Sequence, residues 1–245
     1  HGKTFAREVS INPLPGTCGC CGLDAFLDRD GKLLTLYRGV NDAQRDMTLL
    51  VGNQPAAAKS LIVGPWEVRT CPMSAAAFAQ TPGGIAGAWE ARGNIHLGWF
   101  GTGKPSVKNS TLIHRQAHQR HPSIAANADG SMLVAWSENT GWKKGGDLAW
   151  HIYDAKAKPT DRQGQRPHGV PKWSFAAAVA HPDGSFEILH WPRLAKRHRG
   201  VYIKKTCFGG GPAWTVGAWI SRINYGNSFG CRNRSMSGSA CRPTK

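Results

Sequence analysis

The sequence predicts an all-β fold built from one repeated unit, and three observations carry that expectation. A hairpin phrase recurs four times, about every 50 residues along the 245-residue chain. Each copy is followed by a further strand-like run. No stretch sustains a helical apolar period; Ala56 to Ile62 comes nearest and is too short to stand alone.

The phrase reads AFLDRDGKLLTLYR from Ala25 to Arg38, AFAQTPGGIAGAWE from Ala77 to Glu90, IAANADGSMLVAWS from Ile124 to Ser137 and AAVAHPDGSFEILH from Ala177 to His190. Its turn is Asp30-Gly31, Asp129-Gly130 and Asp183-Gly184 in three copies, and Gly83-Gly84 in the other. Both dipeptides tolerate the positive φ of a tight hairpin. The flanks are rich in strand formers, such as Met132, Val134 and Trp136. Six residues after the first turn glycine of each copy stands Tyr37, Trp89, Trp136 or His190, a shared packing position. The later runs are Met47 to Val51, Ile95 to Trp99, Leu148 to Ile152 and Val201 to Ile203, with room for a fourth strand before the next copy. Four strands in about 45 to 50 residues make a β-propeller blade.

The chain opens His1-Gly2-Lys3-Thr4-Phe5, which matches the last five positions of an Asp-box, S-x-D-x-G-x-T-W/F. With the blade period, this resembles the sialidase-like Asp-box (BNR-repeat) β-propellers from Gly2 to about Thr206. The resemblance implies a six-bladed type of ring, of which four blades plus partial ends are recognisable. It implies structural roles for Gly2, Thr4 and Phe5 in a turn between the outer strands of a blade. The upstream Ser-x-Asp is missing, so the expectation is a chain that starts inside a blade. A closed six-bladed ring needs ~300 residues at this blade length.

The net charge of +16 is unevenly spread. Residues 192–245 carry 11 Lys/Arg and no acid. The expected organisation is therefore blades over 1–206 and an irregular, basic Gly/Ser/Arg-rich tail over 207–245, either non-native or a binding arm. A basic tail suits nucleic acid or anionic surfaces, but the blades themselves do not, so nucleic acid is not the expected partner. No apolar run reaches the ~18 to 20 residues of a membrane span.

Seven cysteines are present. Aligned on the phrase, Cys20 and Cys71 fall at equivalent places to within one residue, near the central axis of adjacent blades. A bridge from Cys71 to Cys18, Cys20 or Cys21 is one expectation and suits an oxidising, periplasmic or extracellular compartment. A four-thiolate metal or iron–sulfur site is the sharper alternative. The C-x-C-C spacing is not a standard zinc knuckle pair, so the expectation is no metal and no cofactor.

Sialidases of this resemblance grip a substrate carboxylate with three arginines and attack with a tyrosine paired to a glutamate. Here Arg38, Arg45, Asp46, Glu90, Arg92 and Glu138 gather at one end of consecutive hairpins and are the candidate ligand-binding residues. Each also has a bland reading as a turn or inter-blade contact. No tyrosine is placed against a glutamate, and Tyr37 reads as blade core. His114, His118 and His121 stand at ligand-like spacing, but His121-Pro122 begins a strand rather than continuing a helix. His96 and His151 read as strand residues. The expected function is a sialidase-like domain that recognises a glycan or protein at its central mouth. The alternative is an exo-sialidase-type glycoside hydrolase with part of its site outside this chain.

Overall fold

Three of the four hairpins close in the same way. Asp28, Asn127 and His181 each donate their N–H to a residue four positions on and accept from the turn glycine. Gly31, Gly130 and Gly184 stand at φ +76°, +84° and +80°. That is a tight turn ending in a left-handed residue, which Asp-Gly favours. Asp129 and Asp183 fasten it by accepting from both the N–H and the hydroxyl of Ser131 and Ser185. The second hairpin differs: Thr81 pairs with Gly84 across Pro82-Gly83, and the positive φ falls on Gly84.

The computed structural model describes residues 4, 7–11, 16–113, 118–190, 201–208 and 217–223, and no helix occurs among them. They form four four-stranded antiparallel sheets, each an up-and-down meander in chain order. The first holds β1 (Asp24–Leu27), β2 (Leu33–Arg38), β3 (Met47–Val51) and β4 (Lys59–Gly64). The second holds β5 (Ala76–Thr81), β6 (Gly84–Ala91), β7 (Asn94–Gly101) and β8 (Ser106–Ile113). The third holds β9 (Gln119–Ala126), β10 (Met132–Glu138), β11 (Gly146–Tyr153) and β12 (Pro159–Val170). The fourth holds β13 (Ala176–Ala180), β14 (Phe186–His190), β15 (Val201–Phe208) and β16 (Gly217–Ile223).

The sheets pack face to face in sequence. Leu34, Leu36, Met47 and Leu49 of the first meet Phe78, Ile85, Trp89 and Phe100 of the second. Ala86, Ala88, Ile95 and Leu97 meet Ile124, Met132, Val134 and Trp136 of the third. Ala125, Leu133, Ala135 and Ile152 meet Phe186 and Ile188 of the fourth. A strand covered on both faces needs apolar residues on both, and this is why β3 and β10 are buried throughout. The outer β12 instead alternates along most of its length. The shared aromatic position is core in every copy: Tyr37, Trp89, Trp136 and His190 are all buried.

First strands lie against first strands, β1 on β5, β5 on β9 and β9 on β13. Polar side chains tie them together. Asp24 of β1 accepts from the N–H of Phe78 on β5 at 2.7 Å, and Ser123 of β9 accepts from the N–H of Ala178 on β13 at 2.9 Å.

Ala56 to Ile62, too short to stand alone as a helix, forms a turn and then the start of β4. The fourth sheet runs to Ile223, into the segment that sequence reading assigns to a tail beyond 206. The repeated phrase covers only the first two strands of each unit, so outer strands carry no signal by which the end of a sheet could be read. Of Gly2, Thr4 and Phe5, only Thr4 lies among the described residues, exposed and outside any strand.

Candidate functional site

In each meander the second strand ends where the first begins. Arg38, Glu90, Glu138 and His190 therefore reach the same end of successive sheets, from β2, β6, β10 and β14. Of the charged candidates, Arg38, Glu90 and Glu138 are at this end, and their side chains point into protein. Arg38 is 1 % exposed. Its Nε and Nη2 donate to Ser74 Oγ at 2.9 and 2.7 Å, Nη1 to the Arg45 carbonyl at 2.6 Å and Nη2 to the Glu90 carbonyl at 2.6 Å. Glu138 accepts from Trp136 Nε1 and Gln165 Nε2, each at 2.8 Å. His190 Nδ1 meets the Gly169 carbonyl. These contacts wire each sheet to its neighbour or its own loops.

The other candidates are also tied to backbone. Arg45 donates to the Asp42 and Gln44 carbonyls. Asp46 accepts from the N–H of Trp66 at 2.8 Å. Arg92 donates to the Pro65 carbonyl at 3.1 Å. Glu90 stands apart. It is fully buried, and among the described residues neither of its carboxylate oxygens accepts a hydrogen bond. Burial pushes its carboxyl up to about 8, against the opposing pull of Arg120 and Arg38. Arg38 is itself pulled down by burial, with Glu90 opposing.

A half-open cleft of about 370 Å³ lies at this same end. It is lined by the segments that lead into each first strand, including Cys20, Met73, His121, Trp173 and Phe175, with Trp142 from the β10–β11 loop. Among the described residues, none of the six charged candidates lines it, and no arginine does. Trp142 and Trp173 pack edge to face at 5.8 Å, and His121 packs against Phe175 at 4.6 Å. Trp142, Trp173 and Phe175 are more than half exposed. Large aromatics left open beside a concave surface are costly unless something covers them. Burial, with Arg120 nearby, lowers the His121 imidazole to about 4, so it is neutral around pH 7.

Three cleft residues hold unusual backbone: Met73, His121 and Trp173 have φ of +52°, +52° and +63°. Each precedes its first strand or lies near the start of it, so the same strained step recurs in three sheets. In non-glycine residues such conformations cost roughly 1–3 kcal/mol and cluster where side chains are aimed for function. Sequence reading missed this site. Met73-Ser74 and Trp173-Ser174 stand at the same distance before the phrase, and that shared serine was the available signal; in the third copy Pro122 separates His121 from Ser123. Of the histidine run, residues 114–117 lie outside the described residues, and among the described ones His118 and His121 join no cluster of metal-ligating groups. His151 bonds the Thr160 carbonyl and His96 stacks on Trp89, both as strand residues.

At the edge of the cleft four cysteines converge. Cys18, Cys20 and Cys21 come from the loop before β1, and Cys71 from the loop before β5. Their sulfurs all lie within 4.8 Å of one another. The structure joins Cys20 to Cys71 and leaves Cys18 and Cys21 as thiols. Burial and the neighbouring Cys18 raise the Cys21 thiol to about 11. The loop is pinned at both ends: the N–H of Cys18 donates to the Arg38 carbonyl, and that of Gly22 to the Ser74 carbonyl, each at 2.9 Å.

No protein-family model matches this chain, and no curated protein matches it.

Proposed function

We propose that this chain is a sialidase-like β-propeller domain that recognises a neutral glycan at its mouth. The observation that carries the reading is the uncharged aromatic cleft. Trp142, Trp173 and Phe175 offer flat apolar faces that suit the C–H face of a pyranose ring, while the neutral His121 offers a polar edge. An acidic sugar needs a cationic partner for its carboxylate. Among the described residues the cleft has none, because Arg38 is spent on Ser74 and two carbonyls. The propeller reading is supported by four meander sheets stacked in chain order with their first strands adjacent.

The test is tryptophan fluorescence on the full chain, titrated with neutral and sialylated oligosaccharides. Quenching by a neutral oligosaccharide, lost in Trp142→Ala and Trp173→Ala, is the expected result. Turnover of a fluorogenic sialoside, or no response to any neutral glycan at millimolar concentration, would overturn it.

A further inference from the structure

We propose that Cys18, Cys20, Cys21 and Cys71 in their reduced form bind a single tetrahedral zinc ion, which fastens the loop before β1 to the loop before β5. The proposal goes beyond glycan recognition and does not depend on it. Four thiolates around zinc at about 2.3 Å place neighbouring sulfurs roughly 3.8 Å apart. Cys18 Sγ lies 3.5 Å from Cys20 Sγ and 3.7 Å from Cys71 Sγ. Cys21 Sγ also lies beside Cys18 Sγ, and all four sulfurs lie within 4.8 Å of one another. The Cys20 and Cys71 Cα atoms are 7.0 Å apart. A disulfide usually spans about 4.4 to 6.8 Å, whereas two ligands sharing an ion have no such limit.

Charge gives an independent reason. The Arg38 guanidinium is buried, and every hydrogen bond it makes among the described residues ends on a neutral oxygen. Glu90 and Asp46 are the carboxyl groups that act on it, and burial raises the Glu90 carboxyl. A buried cation is strongly unfavourable unless anions lie close to it. Cys21 and Cys18 lie close enough to interact with its charge. Zinc with four thiolates carries two net negative charges, and a site of that sign beside Arg38 balances the guanidinium. Binding converts four thiols and one zinc ion into four zinc–sulfur bonds and four released protons. An all-thiolate tetrahedral donor set selects zinc or iron over harder ions; zinc is the assignment here.

The Cys20–Cys71 bridge is the two-electron-oxidised form of the same set, so the experiment starts from fully reduced chain. The full-length protein, reduced and held without oxygen, is titrated with Co²⁺ as a spectroscopic stand-in and then with Zn²⁺. The expected result is one Co²⁺ per chain, with the intense visible bands and sulfur-to-metal charge transfer of a tetrahedral thiolate site. Zn²⁺ should displace it, with proton release. Cys18→Ser and Cys71→Ser should each weaken binding at least ~100-fold. A C207S/C231S/C241S triple variant, which leaves the cluster intact, should keep the full signal. Folded, reduced wild-type chain that gives no tetrahedral cobalt spectrum would overturn the proposal whatever the variants do. So would loss of the spectrum in the triple variant, or an iron-loaded chain that zinc cannot displace.

Discussion

Replacing Glu90 by glutamine should make the protein more stable at neutral and alkaline pH and flatten its dependence on pH. The side chain is fully buried between Arg38 and Arg120, the charged groups that act on it, yet burial outweighs both and lifts the carboxyl from 4.5 to about 8. In the unfolded chain the same group titrates near 4.3. Between those values the folded state holds a proton that the unfolded state releases. This contribution is therefore fully present below about pH 4.3, declines as pH rises, and is gone once pH passes about 8. At about 1.4 kcal/mol per pH unit, the whole span is on the order of 5 kcal/mol. Glutamine has the same shape and never ionises. Glu90→Gln should match the wild type within ~1 kcal/mol near pH 4, where the native carboxyl is neutral too. It should gain steadily up to pH 8 and keep a constant advantage of several kcal/mol beyond. Urea unfolding followed by tryptophan fluorescence at one-unit steps from pH 4 to 9 measures this. Parallel stability curves for the two proteins would refute the reasoning, because they would mean that Glu90 is ionised and satisfied in the folded chain.

Three further substitutions test the packing and the turns. Trp136→Ala removes a fully buried indole between the second and third sheets and leaves Glu138 without its Nε1 donor, so it should cost ~3–5 kcal/mol in the same assay. Gly184→Ala meets open space at φ +80° and should cost about 1–2 kcal/mol for the left-handed backbone alone. Gly130→Ala adds a contact of 2.8 Å with the Ala155 Cβ and should cost more than Gly184→Ala; equal losses would mean that the Ala155 loop yields freely.

The fold was legible because its signal is local and repeated. Asp-Gly turns need particular backbone, and the strand after each turn needs apolar residues on both faces, so both features print directly into sequence at Gly31, Gly130 and Gly184. An outer strand such as β12 alternates exposed and half-buried positions and tolerates almost any composition, and β16 lies in a stretch rich in Gly, Trp and Ser that carries no copy of the phrase. The candidate site was legible only in register. Alignment on the phrase set Cys20 near Cys71 and made Arg38 and Glu90 equivalent positions of consecutive repeats; Cys20 and Cys71 share a disulfide, and Arg38 donates to the Glu90 carbonyl. What register could not supply was direction. Arg38 and Glu138 stand at the right end of their strands, but each side chain is drawn inward by partners remote in sequence, Ser74 and Gln165.

The same logic explains why the cleft escaped notice. Its wall is made by Met73, His121 and Trp173, which share no side-chain chemistry and only a backbone conformation. A strained φ leaves no mark in composition unless glycine occupies it. A serine one or two residues after each strained residue does leave a mark: Ser74 and Ser123 bond across to Arg38 and to the N–H of Ala178. Ser74 and Ser123 tie their first strands to neighbouring sheets, and the variable residues just upstream line the cleft. Conformation constrains that position while chemistry does not, so it is free to be methionine, histidine or tryptophan. A repeat protein that must present different side chains from similar scaffold positions would place its ligand contacts at such a step, and in the second sheet Arg38 holds the step in place through Ser74.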